Sequence, residues 1–199
     1  MASQKKVKVI GAGFAGCEAA MQLARRGIEV ELYEMKPIKF SPAHSSENLC
    51  ELVCSNSFKA MRIESAAGMM KKEMEMLGSL CVECAYLTAV PAGGALAVDR
   101  EKFSRLVTER IGENPLIRVI HEEVTEIPDG NVIIAAGPLA SEKLSRAIGD
   151  LCPGSLSFFD AAAPIVTAES IDMSKAFTQS RYDRGDRDDY INCPLNKDG

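Results

Sequence analysis

KVKVIGAGFAGCEAAMQLARRGIEVELYE, residues 6–34, is the stretch whose reading decides the fold. Lys5 to Ile10 sets β-branched residues in alternation and reads as a buried strand. Gly11-Ala12-Gly13-Phe14-Ala15-Gly16 follows at once, and Phe14 to Arg26 runs through helix formers with an apolar face at Ala15, Ala19, Leu23 and Ala24. Gly27 is a natural C-cap, and Ile28 to Tyr33 alternates again as a second strand that ends on Glu34. This is the context the dinucleotide fingerprint requires: a strand, a glycine turn, a helix, a second strand and an acid. Gly11 permits the tight turn, Gly13 lets the backbone approach a pyrophosphate, and Gly16 lets the helix lie close to the sheet. The helix N-terminus offers unpaired N–H groups to the phosphates, while Glu34 accepts hydrogen bonds from a ribose diol. The competing reading is a packing turn with nothing bound. Cys17, in the first helical turn, reads as packing.

The expected fold class is therefore α/β, a Rossmann-like domain. With 199 residues and 46% hydrophobic content the chain can bury a real core in one domain or slightly more. No run approaches the roughly 18 apolar residues of a membrane span, and the N-terminus enters a strand pattern instead of a signal peptide's apolar region. Seven cysteines at irregular positions suit a reducing compartment better than a disulfide framework, so the expected location is the cytoplasm. A net charge of −5 argues against holding nucleic acid by general electrostatics. Local basic groups remain, at Lys36, Lys39, Lys59, Arg62, Lys71 and Lys72 and again at Arg181, Arg184 and Arg187, and these read first as solvated surface.

ELVCSNSF, residues 51–58, raises the chemical question. Cys54 follows Leu52 and Val53 and precedes Ser55, Asn56 and Ser57, which supply the donors a thiolate needs. On these residues alone it is either filler or reagent. A loop rich in proline and serine leads to it, expected to enter a helix over Glu47 to Val53, and His44 in that loop reads as exposed in preference to an acid or base. Ser65 to Cys84 reads as helical, with Met69, Met70, Met74, Met76 and Leu77 as a core stripe. Cys81 and Cys84 form a C-x-x-C without a second pair at zinc-site spacing, so they read as packing and no metal is expected. Gly93 and Gly94 suggest close backbone approach before a helix that begins near Asp99. From Ile117 two strands flank a Pro-Asp-Gly turn. Val132 to Ala135 is apolar throughout, as in a strand covered on both faces, and Gly137 after it offers a second close approach to a cofactor.

VIGAGFAGCEAA, FSPAH, ELVCSNSF, VPAGGALAVDREKFS, VIIAAGP, FFDAAAPIV and SRYDRGDRDDYINCPL occur in order across nearly the whole chain. Together they closely resemble the TrmFO family of folate- and FAD-dependent tRNA uracil-5-methyltransferases, which are GidA-like flavoproteins. The resemblance implies that a one-carbon unit passes from 5,10-methylenetetrahydrofolate to C5 of a T-loop uridine in tRNA, with FAD as cofactor and NAD(P)H as electron source. That chemistry explains a thiol on a flavin fold, because uracil C5 is a poor nucleophile until a thiolate adds to C6. Cys54 falls on the family's first catalytic cysteine. Attack on C6 is its first assignment, and capture or protection of the flavin-bound carbon is the other. Gly11, Gly13, Gly16, Glu34 and Gly137 are the expected cofactor contacts. Ser55 and Asn56 match the family motif and are expected to orient the thiol or contact the flavin.

Two parts of the family pattern are missing. A second catalytic cysteine beyond the INCP region and the segment that completes the FAD domain are absent, and Cys193 belongs to INCP itself. The chain thus reads as the N-terminal portion of a longer enzyme, incomplete at its C-terminus. Residues 1–165 are expected to form the first part of the FAD-binding domain and 166–199 the start of a second. The rival readings are a GidA-type wobble-uridine tRNA-modifying flavoprotein, a general FAD or NAD oxidoreductase, and an inactive nucleotide-binding fragment.

Overall fold

The computed structural model describes residues 6–151, 166–179 and 190–194. In chain order the elements are β1 (Val7–Ile10), α1 (Phe14–Ala24), β2 (Val30–Glu34), β3 (Ser57–Ala60), α2 (Ala66–Met76), α3 (Leu80–Leu87), β4 (Ala89–Val90), β5 (Ala95–Val98), α4 (Arg100–Gly112), β6 (Ile117–His121), β7 (Val132–Ile134), α5 (Glu142–Leu151), β8 (Phe177–Thr178) and β9 (Ile191–Asn192). A parallel sheet of order β6-β2-β1-β7 forms the body, with Val7 opposite Val30 and Ile10 opposite Tyr33. A smaller antiparallel sheet, β3-β5-β4, stands beside it, and β8 pairs with β9.

The first βαβ unit forms where the sequence places it. Gly27, at φ 73°, ends α1 by donating its N–H to Ala24 O at 2.9 Å, while Ile28 N reaches Leu23 O at 3.1 Å. The buried face of α1 differs from the expected one. Gly16, Cys17, Ala20, Met21 and Ala24 are buried, and Ala15 is exposed. The stripe is rotated because α1 packs against α3 and α4 as well as the sheet. The core joins Val9, Val30 and Leu32 from the sheet to Leu96 and Val98 of β5 and to Phe103, Val107 and Ile111 of α4. Fully buried Phe103 meets the partly buried Phe14 and Phe58, which pack against the core, with ring centroids 5.4 to 5.7 Å apart.

Three other expectations are corrected. No helix forms over Glu47 to Val53. Ser65 to Cys84 is two helices, broken at Gly78 (φ 71°), with Ser79 Oγ capping α3 through Val82 N at 3.1 Å. The methionine stripe is not core, since Met76 is 78% and Leu77 74% exposed and Met69 and Met70 are also open. The face that α2 turns inward is Gly68 and Lys71. Lys71 Nζ donates to Phe58 O at 2.7 Å, and a side-chain carbon on Gly68 would fall 1.9 Å from Arg62 O.

β6 and β7 are no hairpin. They lie at opposite edges of the parallel sheet, so the chain between them recrosses its end. Ile133 and Ile134 of β7 are 36% and 38% exposed, so the strand expected to be covered on both faces is half-open. Gly93 (φ 56°) and Gly94 serve the β4–β5 connection. The expected boundary after residue 165 abuts residues outside the described ones. Nearly all of FFDAAAPIV, and Arg181, Arg184 and Arg187, also lie outside them.

Candidate functional site

The glycine turn is stitched to the strands on both sides of β1. Gly11 N donates to Tyr33 O at 2.8 Å, and Ala135 N donates to Ile10 O at 2.8 Å. Gly11 sits at φ 97°, and a side-chain carbon there would meet Ala136 Cα at 2.6 Å. On Gly16 it would fall 1.8 Å from Gly11 O, so the helix approaches the turn as closely as only glycine allows. Gly13 faces open space, with nothing within 4 Å of such a carbon. No side chain caps α1 at Gly13, and its first turn holds no acid. An anion approaching Gly13 therefore meets the helix dipole and N–H groups with no carboxylate of the helix's own first turn competing for them.

Glu34 closes the other end. Its Oε2 accepts from Ala12 N at 3.1 Å and its Oε1 from Lys36 N at 3.0 Å, which fixes the carboxylate without exhausting its roughly four acceptor sites. It lines, with Gly11, Gly13, His44, Val124 and Leu139, a cavity of about 100 Å³. An open glycine turn at a helix N-terminus and an oriented acid at the next strand fit a dinucleotide. Gly137, at φ 66°, does not line this cavity, although its neighbours Ala136 and Leu139 do.

His44 is a residue the sequence reading underrated. It is half-buried in this cavity, with Nδ1 2.6 Å from Ser41 Oγ. Burial, then the nearby Lys36 charge, hold its pKa below the ordinary 6.5, so the ring is neutral at pH 7. Glu122, Glu123 and Val124 were also missed. They line the cavity because the chain leaving β6 passes over the carboxyl ends of the strands. The only signal for them was topological.

Cys54 is exposed, and its carbonyl accepts from Arg100 Nη2 at 3.4 Å. It lies on a short span between two fixed points. Upstream, Cys50 N donates to Ala12 O at 3.0 Å and Leu49 N to Thr108 Oγ1 at 2.9 Å. Downstream, Asn56 exchanges bonds with Val98: Asn56 Nδ2 donates to Val98 O at 3.0 Å, and Val98 N donates to Asn56 O at 3.0 Å. Ser55 Oγ accepts from Ser57 N at 3.1 Å. The structure thus ties the thiol's span to the glycine turn, but Cys54, Ser55 and Asn56 do not line the 100 Å³ cavity.

The buried thiols contrast with it. Cys17, Cys50, Cys81 and Cys84 belong to the core, and Cys50 Sγ is 4.0 Å from Cys81 Sγ. Burial pushes the Cys50 thiol well up, and burial with the neighbouring Cys81 pushes Cys84 up to about 12, so neither is a thiolate at neutral pH. Among the described residues, no three His, Cys, Asp or Glu side chains are grouped to hold a metal ion. A larger hollow of about 490 Å³, lined by Leu23, Met74, Leu77 and Ile133 among others, contains neither the glycine turn nor Cys54. The smaller cavity is the one that the glycine turn and Glu34 line.

Parallel sheet, glycine turn and terminal acid define the Rossmann-like class of α/β dinucleotide folds. The chain belongs to the Glucose inhibited division protein A (GIDA) family, whose model matches residues 6–199. It is 60% identical over 194 residues to the methylenetetrahydrofolate–tRNA-(uracil-5-)-methyltransferase TrmFO of Acetivibrio thermocellus, covering 96% of this chain and 44% of that protein. To the protein of the same name from Geotalea uraniireducens it is 57% identical over 195 residues, covering 98% of this chain and 45% of the relative. The chain thus spans less than half the length of these relatives. Among solved structures, Aquifex aeolicus GidA aligns with a TM-score of 0.50 at 18% identity over 66% of this chain and 22% of its own, a likeness of fold alone. Among the described residues no helix is long and apolar enough to cross a membrane.

Proposed function

We propose that this chain supplies the FAD-binding cradle and the Cys54 thiol of a methylenetetrahydrofolate-dependent tRNA (uracil-5-)-methyltransferase acting in the cytoplasm on a T-loop uridine. The observation that carries the reading is an exposed thiol on a span anchored to a dinucleotide cradle, by Cys50 N to Ala12 O at 3.0 Å. The 60% identity to a protein named for that reaction supports it over 96% of the chain. Residues 1–165 belong to the FAD-binding domain, and 166–199 open a second.

Gly11, Gly13 and Gly16 with the first turn of α1 hold the pyrophosphate, Glu34 holds the ribose diol, and Gly137 gives a second close approach. FAD, when bound, supplies electrons drawn from NAD(P)H to bring a methylene-level carbon to a methyl group. Cys54 does the thiolate chemistry. Its sulfur adds to uracil C6, and the C5–C6 electron pair moves into the enolate, which makes C5 the nucleophile toward the one-carbon unit of methylenetetrahydrofolate. Loss of the C5 proton to a base then expels tetrahydrofolate and leaves an exocyclic methylene on C5, which takes up a hydride equivalent as the C6–S bond breaks, giving the C5 methyl group and returning the thiolate. Ser55 and Asn56 hold the span in place for this attack. Capture or protection of the one-carbon unit by the same thiol is the second assignment.

The test incubates this chain, and a form extended to the relatives' full length, with FAD, NADPH, methylenetetrahydrofolate and tRNA tritiated at uridine C5. Tritium release by the extended form that disappears in Cys54→Ala supports the reading. Bound FAD with no release, or a Cys54→Ala form as active as its parent, sinks it. Release without methyl formation in a Cys54 variant would select the second assignment.

A further inference from the structure

Lys36 stands two residues past the ribose-binding acid, where a cation would ordinarily be read as a phosphate ligand. Its surroundings say otherwise. The side chain is only 3% exposed, and its ammonium reaches Ser46 O at 3.0 Å, Asn48 O, and Glu51 Oε2 at 3.4 Å. An ammonium has three donors, so all are engaged by the loop and none is left for a ligand. The Lys36 backbone is fixed as well, its N–H by Glu34 and its carbonyl by His121 Nδ1. Glu51 completes the knot, accepting through Oε1 from Ser45 N at 2.9 Å, Ser45 Oγ at 3.0 Å and Ser46 N at 3.1 Å. Three residues on from Glu51 is Cys54.

We propose that Lys36 is a positioning residue for Cys54: its buried ammonium, through Glu51 and two loop carbonyls, holds the thiol's loop against the nucleotide cradle. The inference rests on the reading of Cys54 as the reactive thiol, but its test does not require methyl transfer. Without the ammonium, two carbonyls and a carboxylate lose their buried donor, so the Ser45–Asn48 stretch and the Glu51 side chain next to the thiol's span lose their tie, while the Leu49–Thr108 and Cys50–Ala12 bonds remain.

The test compares parent, Lys36→Met, Lys36→Arg and Glu51→Gln as the full 199-residue chain. It reads amide exchange at Ser45 and Ser46, and peptide-resolved alkylation of Cys54 by iodoacetamide, with exposed Cys193 as internal reference. Lys36→Met is expected to speed exchange at both serines about tenfold or more, with amides of α1 and α4 unchanged. Cys54 alkylation rises about threefold or more relative to Cys193 as its span becomes mobile. Lys36→Arg, which keeps the cation, restores both readings to within about twofold of the parent. Should Lys36→Met fail to fold, Glu51→Gln decides, and it is expected to move the same amides and the same thiol. Parent-like exchange and alkylation overturn the proposal. So does a rise spread evenly over α1 and α4, or a Lys36→Arg form that behaves like Lys36→Met. An extended enzyme that releases no tritium would sink the methyltransferase reading and leave this comparison standing.

Discussion

Gly13 and Gly16 share one turn but are glycines for different reasons, and substitution separates them. A methyl on Gly16 would lie 1.8 Å from the Gly11 carbonyl, between backbone atoms that cannot give way. Gly16→Ala is expected to cost about 3 kcal/mol or more, read as a lower denaturant midpoint. Gly13 has open space at φ −77°, so Gly13→Ala should fold with a loss near 1 kcal/mol, yet weaken ADP binding about tenfold because the methyl occupies the phosphate's approach. Equal effects on stability would refute the division of roles. At Glu51, burial opposes ionisation, but the Ser45 and Ser46 amides, the Ser45 hydroxyl and Lys36 outweigh it and hold the carboxyl below the ordinary 4.5. Between folded and unfolded pKa values the unfolded chain binds more protons, so this contribution is present above pH 4.5 and disappears as pH falls through the folded value. The melting temperature of Glu51→Gln should therefore lie below the parent's at pH 7 and converge on it toward pH 3; a gap of constant size would exclude this account. The glycine roles and Glu34 were legible because the fingerprint is local in sequence. His44 was not, because it sits in a cavity completed by a crossing chain about 80 residues away, at Glu122 to Val124, and its lowered pKa also draws on the Lys36 charge.

At the scale of elements, periodicity gave the existence of helices more reliably than their inward faces. The α2 methionines look like a core stripe, yet this helix turns Gly68 onto the Met61–Arg62 backbone just past β3 and reaches β3 itself through the Lys71 ammonium, bonded to Phe58 O. Met69→Lys and Met76→Lys should each change stability by about 0.5 kcal/mol or less, whereas Phe103→Ala, which empties the centre of the aromatic cluster, should cost about 3 to 5 kcal/mol. A large loss for the methionine variants in urea unfolding would restore the core reading. The missing helix over Glu47 to Val53 has a cause in the same terms. Ser46 and Asn48 give their carbonyls to Lys36, and Cys50, at φ 52°, gives its N–H to Ala12, so the bonds a helix needs are already committed. No local pattern announces a competitor that comes from another part of the chain. The break at Gly78-Ser79 was readable in principle, since glycine followed by serine is a C-cap followed by an N-cap.

For the whole molecule, the parallel class was legible while the strand order was not. Two strands around a Pro-Asp-Gly turn look adjacent in sequence, but both run parallel to the sheet, which rules out a hairpin, and β6 pairs with β2 while β7 pairs with β1, at opposite edges. This arrangement leaves β7 with one partner among the described strands. Successive strand residues face opposite sides, so Ile133 at 36% and Ile134 at 38% exposure mean that neither face of β7 is fully covered. Ile133 also borders the 490 Å³ hollow with Leu23, Met74 and Leu77, joining one of these faces to a continuous apolar surface. Parallel sheets are stable when both faces are buried, and an apolar surface left open lowers its free energy by association. The isolated chain is therefore expected to self-associate, with a sedimentation coefficient that rises with concentration and a broad thermal transition. Leu77→Lys together with Ile133→Thr should shift it toward monomer with the helical circular dichroism retained. A parent chain that sediments as a monomer at all concentrations and melts in one sharp two-state step would show that this surface is tolerated as it stands, and the argument from the open strand would fail.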